Sequence, residues 1–306
     1  MTTAPPIAVD IQGLHKIYQN RTVALSKIDL TIEQGSFFGL LGPNGAGKST
    51  LIGILCGLIT KSAGTVRTFG IDVDTEPLAA RRFLGVVPQE FNFSIFEPCM
   101  QIICNHAGYY GVPQGLAKER ANIYLKKLGL WDKRNQPAGT LSGGLKRRLM
   151  IVRALVVAPK LLILDEPTAG VDISIRHLLW EFLQELNEQG LSIILTTHYL
   201  EEAEKLCKHL AIMDKGEVLE TGPTTTLLDS LKQETLLLFC QPFDPSPVLP
   251  DFDISIVSNQ QLKVRLGRGQ ALGDLILALN QQNIRVIRTQ NTANRLEELF
   301  LNLVTP

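Results

Sequence analysis

The most constraining feature of this chain is the run Gly42-Pro43-Asn44-Gly45-Ala46-Gly47-Lys48-Ser49, which follows the apolar segment 36–41 and precedes a helix-like stretch over 50–58. A glycine, four residues and then Gly-Lys-Ser, set between strand and helix, is the pattern of a loop that wraps phosphate groups. Its glycines let the backbone fold tightly enough for N–H groups to converge on phosphate oxygens, and the helix start adds a favourable dipole. In such a loop Lys48 reaches the outer phosphates and the Ser49 hydroxyl ligates Mg²⁺. The plain alternative is a glycine-rich turn that happens to contain Lys-Ser; the flanking strand and helix weigh against it.

The rest of the chain is organised as such a loop requires. Residues 7–9 and 25–32 alternate like strands, and 161–164 and 191–196 read as further buried strands. A helical pattern runs from 97 to 130, broken at Gly111-Val112-Pro113, and a Glu-rich helix is expected over 199–210. Strands alternating with helices predict an α/β core with a largely parallel sheet. Beyond about residue 224 the composition changes. There, strands are expected at 235–240, 253–257, 262–266 and 284–288, with helices at 271–280 and 293–304, after a cluster of Pro242, Pro245, Pro247 and Pro250. The reading is one domain over 7–228 and a small α+β domain over 229–306.

Phosphate chemistry also needs a carboxylate beside the loop. The run Leu161-Leu162-Ile163-Leu164 ends in Asp165-Glu166, which offers Asp165 to a metal and Glu166 to an attacking water as general base. An apolar run ending in acidic residues is common by itself; its pairing with the glycine loop gives it weight.

Composition narrows the classes. With 30 Lys+Arg against 30 Asp+Glu the chain is formally neutral, without the basic excess of proteins that live on nucleic acid. Cys56, Cys99, Cys104, Cys207 and Cys240 are odd in number and form no CxxC pair, so a disulfide framework or zinc site is not expected. The first ten residues do not resemble a signal peptide, and no stretch approaches the roughly 18 to 20 apolar residues that span a bilayer. A soluble chain is expected.

The run Leu141-Ser142-Gly143-Gly144-Leu145-Lys146-Arg147-Arg148 narrows the class further. Taken alone it reads as an anion-binding helix start or an ordinary cap. In its order after the phosphate loop and before Asp165-Glu166, it resembles the signature motif of ABC ATPases. That resemblance covers roughly residues 7–228. It implies a P-loop NTPase fold, with a RecA-like core, a helical subdomain and an antiparallel β subdomain, followed here by the small C-terminal domain. It also implies that Gly42, Pro43, Asn44, Gly45, Ala46, Gly47, Lys48, Ser49 and Thr50 bind ATP, and that Ser49, Gln89 and Asp165 serve Mg²⁺. By the same resemblance Tyr18 stacks on adenine, Gln89 lies in the Q-loop, Asp172 in the D-loop, and His198 is the switch histidine at the γ-phosphate.

The family further implies a second copy of the chain, with ATP held between one copy's phosphate loop and the other's Ser142, Gly143 and Gly144. A separate integral-membrane permease is implied, with this subunit cytoplasmic and peripheral on the inner face of the membrane. Leu145 departs from the usual glutamine of the signature. With Lys-Arg-Arg after it, it is similar to a type-two exporter branch, and Pro88-Gln89-Glu90-Phe91-Asn92-Phe93 and the closing segment 293–300 resemble its YadG-type members. A soluble ABC ATPase acting on ribosomes or DNA, and an importer motor, are the alternatives. Nothing in the sequence names a cargo.

Overall fold

The computed structural model describes residues 6–229, 233–244, 247, 249–267, 270–291 and 295–304. It divides into two compact units, Met1–Thr224 and Thr225–Pro306. The boundary expected at 228 falls within a short helix, Thr224–Asp229, that straddles this division.

The first unit starts with antiparallel strands β1 (Ile7–Ile17) and β2 (Val23–Glu33). Then come β3 (Phe37–Leu41), α1 (Lys48–Leu55), β4 (Ala63–Thr68) and β5 (Ile71–Asp72), followed by α2 (Pro77–Arg81) and β6 (Leu84–Val87). Three helices follow, α3 (Cys99–Tyr109), α4 (Gln114–Lys127) and α5 (Gly143–Leu155). The unit continues through β7 (Leu161–Asp165), α6 (Ile173–Glu188), β8 (Ser192–Thr196), α7 (Leu200–Leu206), β9 (His209–Asp214) and β10 (Glu217–Pro223).

The central sheet has the order β10-β9-β3-β8-β7-β6. Strands β9, β3, β8, β7 and β6 run parallel, and β10 closes one edge antiparallel. Every residue of β3 and β8 is buried, and in β7 only Asp165 is not fully so. Strands covered on both faces read as continuous apolar runs, which is why Phe37–Leu41 and Leu161–Leu164 lack alternation. A second sheet, β2-β1-β4-β5, shares one core with the first: Val9, Ile11, Leu25 and Val66 pack in the same cluster as Phe38, Leu40, Leu51, Ile163 and Ile194. Helix α1 is buried on most of its circumference in that core. Helices α3, α4 and α5 form the helical subdomain, closed by small residues such as Ala107, Ala117 and Ala121, all essentially without exposure.

One expectation is corrected. The helix read over 199–210 ends at Leu206, and His209–Asp214 forms β9 instead. Leu210, Ala211, Ile212 and Met213 are fully buried, and the first three pair with β3. A short apolar run fits a buried strand or a helix equally well by pattern alone, and the unpaired edge of β3 decides it.

In the second unit, β11 (Gln233–Cys240), β12 (Asp253–Ser258), β13 (Gln261–Gly267) and β14 (Val286–Asn291) form an antiparallel sheet in the order β12-β13-β11-β14. Leu236, Leu238 and Cys240 pack with Leu262, Val264, Leu266, Leu275 and Leu279, the last two on the helix Leu272–Gln281. Ile284 is buried ahead of β14 rather than within it. The final helix runs Arg295–Val304; residues 293 and 294 of the expected helix, and Pro245, lie outside the described residues. All five cysteines are free thiols. Among the described residues no helix is long and apolar enough to cross a membrane.

Helices α6 and α7 meet around a buried carboxylate. Trp180 Nε1 donates to Glu202 Oε1 at 2.9 Å, and Glu202 has no exposure. Burial pushes this carboxyl above the usual glutamate range, against the Trp180 bond and the nearby Arg176 charge. The folded chain therefore keeps the proton at pH values where the unfolded chain has released it. That stabilisation is complete below the unfolded-state range and disappears as pH rises through the folded value. Urea unfolding of Glu202→Gln at acidic and neutral pH is expected to show a smaller loss of stability with rising pH than the parent chain; equal slopes would count against a carboxyl that keeps its proton in the fold.

Candidate functional site

Strands β3, β6, β7 and β8 of the central sheet end on one side, and each leads into a chemically active residue there. β3 leads into the glycine loop. At Gly42 an added Cβ would strike the Met213 carbonyl oxygen of β9. Gly47 holds φ at 103°, and a Cβ there would lie 2.7 Å from the Ala24 oxygen and 2.8 Å from Leu25 Cδ2. The loop is thus wedged between strands of both sheets, and these two glycines are required by the neighbouring chain before any ligand arrives. No side chain caps α1 at Gly47, so its first-turn amides have neither side-chain nor intrahelical partners, which is the arrangement of an anion site.

Lys48 is buried, and its Nζ donates to Gly42 O at 2.7 Å and to Pro43 O at 3.0 Å. Burial lowers its pKa, while the charges of Glu166 and Asp165 pull it back up. Residues 44–50, Gln89, Asp165 and Glu166 line a cleft of about 330 Å³, together with Thr22, Val23 and Ala24.

Asp165 closes β7 and accepts a hydrogen bond from the Thr196 hydroxyl at the end of β8. The Glu166 amide donates to Thr196 O at 3.0 Å and to its Oγ1 at 3.2 Å. These bonds hold Glu166 at φ +48°, a state that costs a non-glycine residue about 1–3 kcal/mol and that collects at functional sites. Its carboxylate gathers two further groups. Gln89 Nε2 donates to Oε2 at 3.1 Å, and His198 Nδ1 lies 3.2 Å from Oε1. One carboxylate therefore joins segments that leave β6, β7 and β8.

Tyr18 reaches this assembly through its hydroxyl, 3.3 Å from Thr50 Oγ1, and Lys16 Nζ sits 4.9 Å from its ring centre. Ser142, Gly143, Gly144 and Asp172 do not line the cleft of their own chain. Ser142 caps α5, accepting from the Leu145 N–H at 3.4 Å, and both Ser142 and Gly143 are exposed. Gly144 abuts Ile175, which a Cβ would approach to 3.3 Å, and Val171. The signature run and the residues flanking Asp172 thus form a second surface. Leu145 contributes its backbone N–H to the cap. Thr196 and the 22–24 wall were not singled out in the sequence; the Thr196-Thr197-His198 run after an apolar strand is the signal that points to the former.

Two-layered P-loop architecture, a lysine and two carboxylates at one cleft, and a capped Ser-Gly-Gly helix together define a nucleotide-hydrolysing ATPase cassette. The ABC transporter family matches over residues 25–169. The linearmycin resistance ATP-binding protein LnrL of Bacillus subtilis is 33% identical over 305 residues, covering 95% of this chain and 96% of its own. The Nod factor export ATP-binding protein I of Cupriavidus pinatubonensis is 39% identical, covering 74% of this chain and 72% of its own. The daunorubicin/doxorubicin resistance protein DrrA of Streptomyces peucetius is also 39% identical, with 78% and 72% covered. Among solved structures, an ATP-binding cassette dimer with ADP and phosphate superimposes with a TM-score of 0.66 at 27% identity, over 71% of this chain and 98% of that one. The cbiO1 subunit of Clostridium perfringens gives 0.67 at 29%, over 74% and 92%. This chain belongs to the ABC transporter ATP-binding family and is an ATPase.

A hydrogen bond from an ammonium to a charged phosphate contributes about 1.5–3 kcal/mol. Lys48→Ala is expected to weaken ATP binding by at least about tenfold in equilibrium titration, and an unchanged affinity would remove Lys48 from the nucleotide.

Proposed function

We propose that this chain is the motor of an ABC exporter, working as a homodimer that couples ATP binding and hydrolysis to a separate membrane permease. The observation that carries the reading is the separation of two half-sites within one chain. Lys48, Gln89, Asp165 and Glu166 line one cleft, with His198 bonded to Glu166, whereas Ser142 and Gly143 are exposed and Gly144 packs beside Val171 and Ile175. A second copy completes each half, its signature surface closing on ATP held by the first, with Asp172 near the junction. Relatives named for Nod factor export and for drug resistance support export as the direction.

Within one closed site the side chains take distinct roles. Lys48 neutralises the outer phosphates, and the amides of the 42–50 loop hold the inner ones. Tyr18 packs on the adenine. Ser49, the amide oxygen of Gln89 and Asp165 are hard oxygen donors that suit Mg²⁺. Among the described residues no three His, Cys, Asp or Glu side chains can hold a metal by themselves, so a Mg²⁺ ion here would depend on these three oxygen donors together with the nucleotide. When bound, the ion neutralises phosphate charge. Glu166 polarises the attacking water, and His198 holds the Glu166 carboxylate in place and meets the γ-phosphate.

Glu166→Gln keeps the shape and the Gln89 contact but removes the base. It is expected to bind ATP, to dimerise in the presence of ATP, and to hydrolyse it on the order of 10²- to 10⁴-fold more slowly; turnover near that of the parent chain would remove Glu166 from this role.

The permease side is read from the segment after Gln89. Phe96 is 84% exposed, Phe91 and Ile95 are exposed, and Phe93 is half-buried with its ring 6.0 Å from that of Phe91. An aromatic at 84% exposure is not subdomain core, and such a patch suits a cytoplasmic helix of the permease. Phe96→Asp is expected to abolish co-purification with the permease while ATP affinity stays unchanged; undiminished co-purification would overturn this assignment.

A further inference from the structure

Helix α5 carries Arg147 just beyond its Ser142-Gly143-Gly144 start. Nothing in the sequence sets Arg147 apart from Lys146 and Arg148, yet Arg147 is only 4% exposed. Its guanidinium forks onto two consecutive carbonyls. Nη1 donates to Pro88 O at 2.8 Å and Nη2 to Gln89 O at 2.7 Å, with the Phe91 ring centre 5.3 Å from Cζ. Further along the same helix, Arg153 Nη1 donates to Asn92 O at 3.2 Å, and its Nη2 donates to the Asn92 side chain. The segment 88–92 is thus held to α5 at both ends. At its near end Gln89 Nε2 reaches Glu166 at 3.1 Å.

A planar fork on adjacent carbonyls fixes both the place and the direction of that peptide, which one bond, or a lysine acting as a point charge, does not. The direction of the Gln89 backbone sets where its side chain can go. An unbroken chain of hydrogen bonds therefore runs from the signature helix, through Arg147 and Gln89, to the carboxylate beside Lys48.

We propose that Arg147 is a positioning residue for hydrolysis, acting through Gln89. It transmits the location of the signature helix to the Gln89 amide, so that whatever engages Ser142, Gly143 and Gly144 also sets the Glu166 environment of the same chain. The two nucleotide sites of a dimer are then linked inside each subunit as well as across the interface. This rests on the reading of Gln89 and Glu166 as parts of the hydrolytic centre.

The test is a double-mutant cycle on Mg-ATP hydrolysis by the purified full chain, using Arg147→Met, Gln89→Ala and the pair. Arg147→Met is expected to lower kcat by about ten- to a hundredfold, as small misplacements of catalytic groups do, with KM and ATP affinity nearly unchanged. The pair should be no slower than Gln89→Ala alone, because both changes break one chain of contacts. Multiplied losses, or a loss confined to KM, would overturn the proposal. Arg147→Lys keeps the charge without the fork and should be as slow as Arg147→Met; a parental kcat in this variant would show that charge alone suffices, and would also overturn it. Should Arg147→Met fail to fold in a thermal melt, Arg147→Lys decides the matter. A Gln89→Ala chain that hydrolyses at the parental rate would sink the reading of Gln89 itself. A slow Gln89→Ala with multiplied losses sinks only the role of Arg147.

Discussion

The structure depends on the parallel register of β6, β7, β8 and β3. Leu164 stands beside Leu195 and Val87, and Leu40 beside Thr196, so the four strands end within a residue or two of one another. A buried parallel sheet cannot slip without exposing whole apolar strands or breaking bonds that no water replaces. That stiffness lets groups from four distant parts of the sequence meet at hydrogen-bond distance. The glycine loop, Gln89, Asp165-Glu166 and His198 owe their proximity to the sheet edge and to nothing in their own local sequence.

Charge then organises the edge. A buried ammonium beside two carboxylates is tolerable because each group is bonded: Lys48 to the loop carbonyls, Asp165 to Thr196, Glu166 to Gln89 and His198. Burying any of these charges alone would cost several kcal/mol. The backbone strain at Glu166 is held by the same Thr196 that orients Asp165, so one threonine fixes the geometry of both acidic residues. One ammonium stands against two carboxylates, so a phosphate-bearing ligand would add negative charge to a site that is already net negative, and the uncapped start of α1 is the feature that favours it.

Much of this arrangement is legible in the sequence, for a physical reason. Phe37–Leu41 and Leu161–Leu164 are continuous apolar runs whose ends are marked by glycine or acid, and a doubly covered strand must look that way. The small α+β character of the C-terminal unit is legible from its alternating strands. Two things are not. β9 is lost because Leu210–Met213 carries no periodicity that separates strand from helix, and only the open edge of β3 settles it. Arg147 is hidden because nothing in the sequence sets it apart from Lys146 and Arg148; its burial depends on the tertiary approach of Pro88 and Gln89, about sixty residues earlier in the chain. Thr196 belongs with it, since one hydroxyl after a strand gives no sign of the carboxylate it will meet.

The two walls of the cleft do not hang from equivalent strands. Asp165 and Glu166 extend from β7, which is paired on both sides, whereas the Gln89 segment extends from β6, the four-residue terminal strand of the sheet, bonded among the described residues to β7 alone. A strand with one free edge can swing its exit loop without tearing a ladder; an interior strand cannot. One wall is therefore set by the sheet alone, whereas the other, held to α5 by Arg147 and Arg153, goes with that helix and also carries the exposed aromatics. A displacement of α5 would then shift the Gln89 wall against the Asp165 wall as a lever moves, with the central sheet untouched.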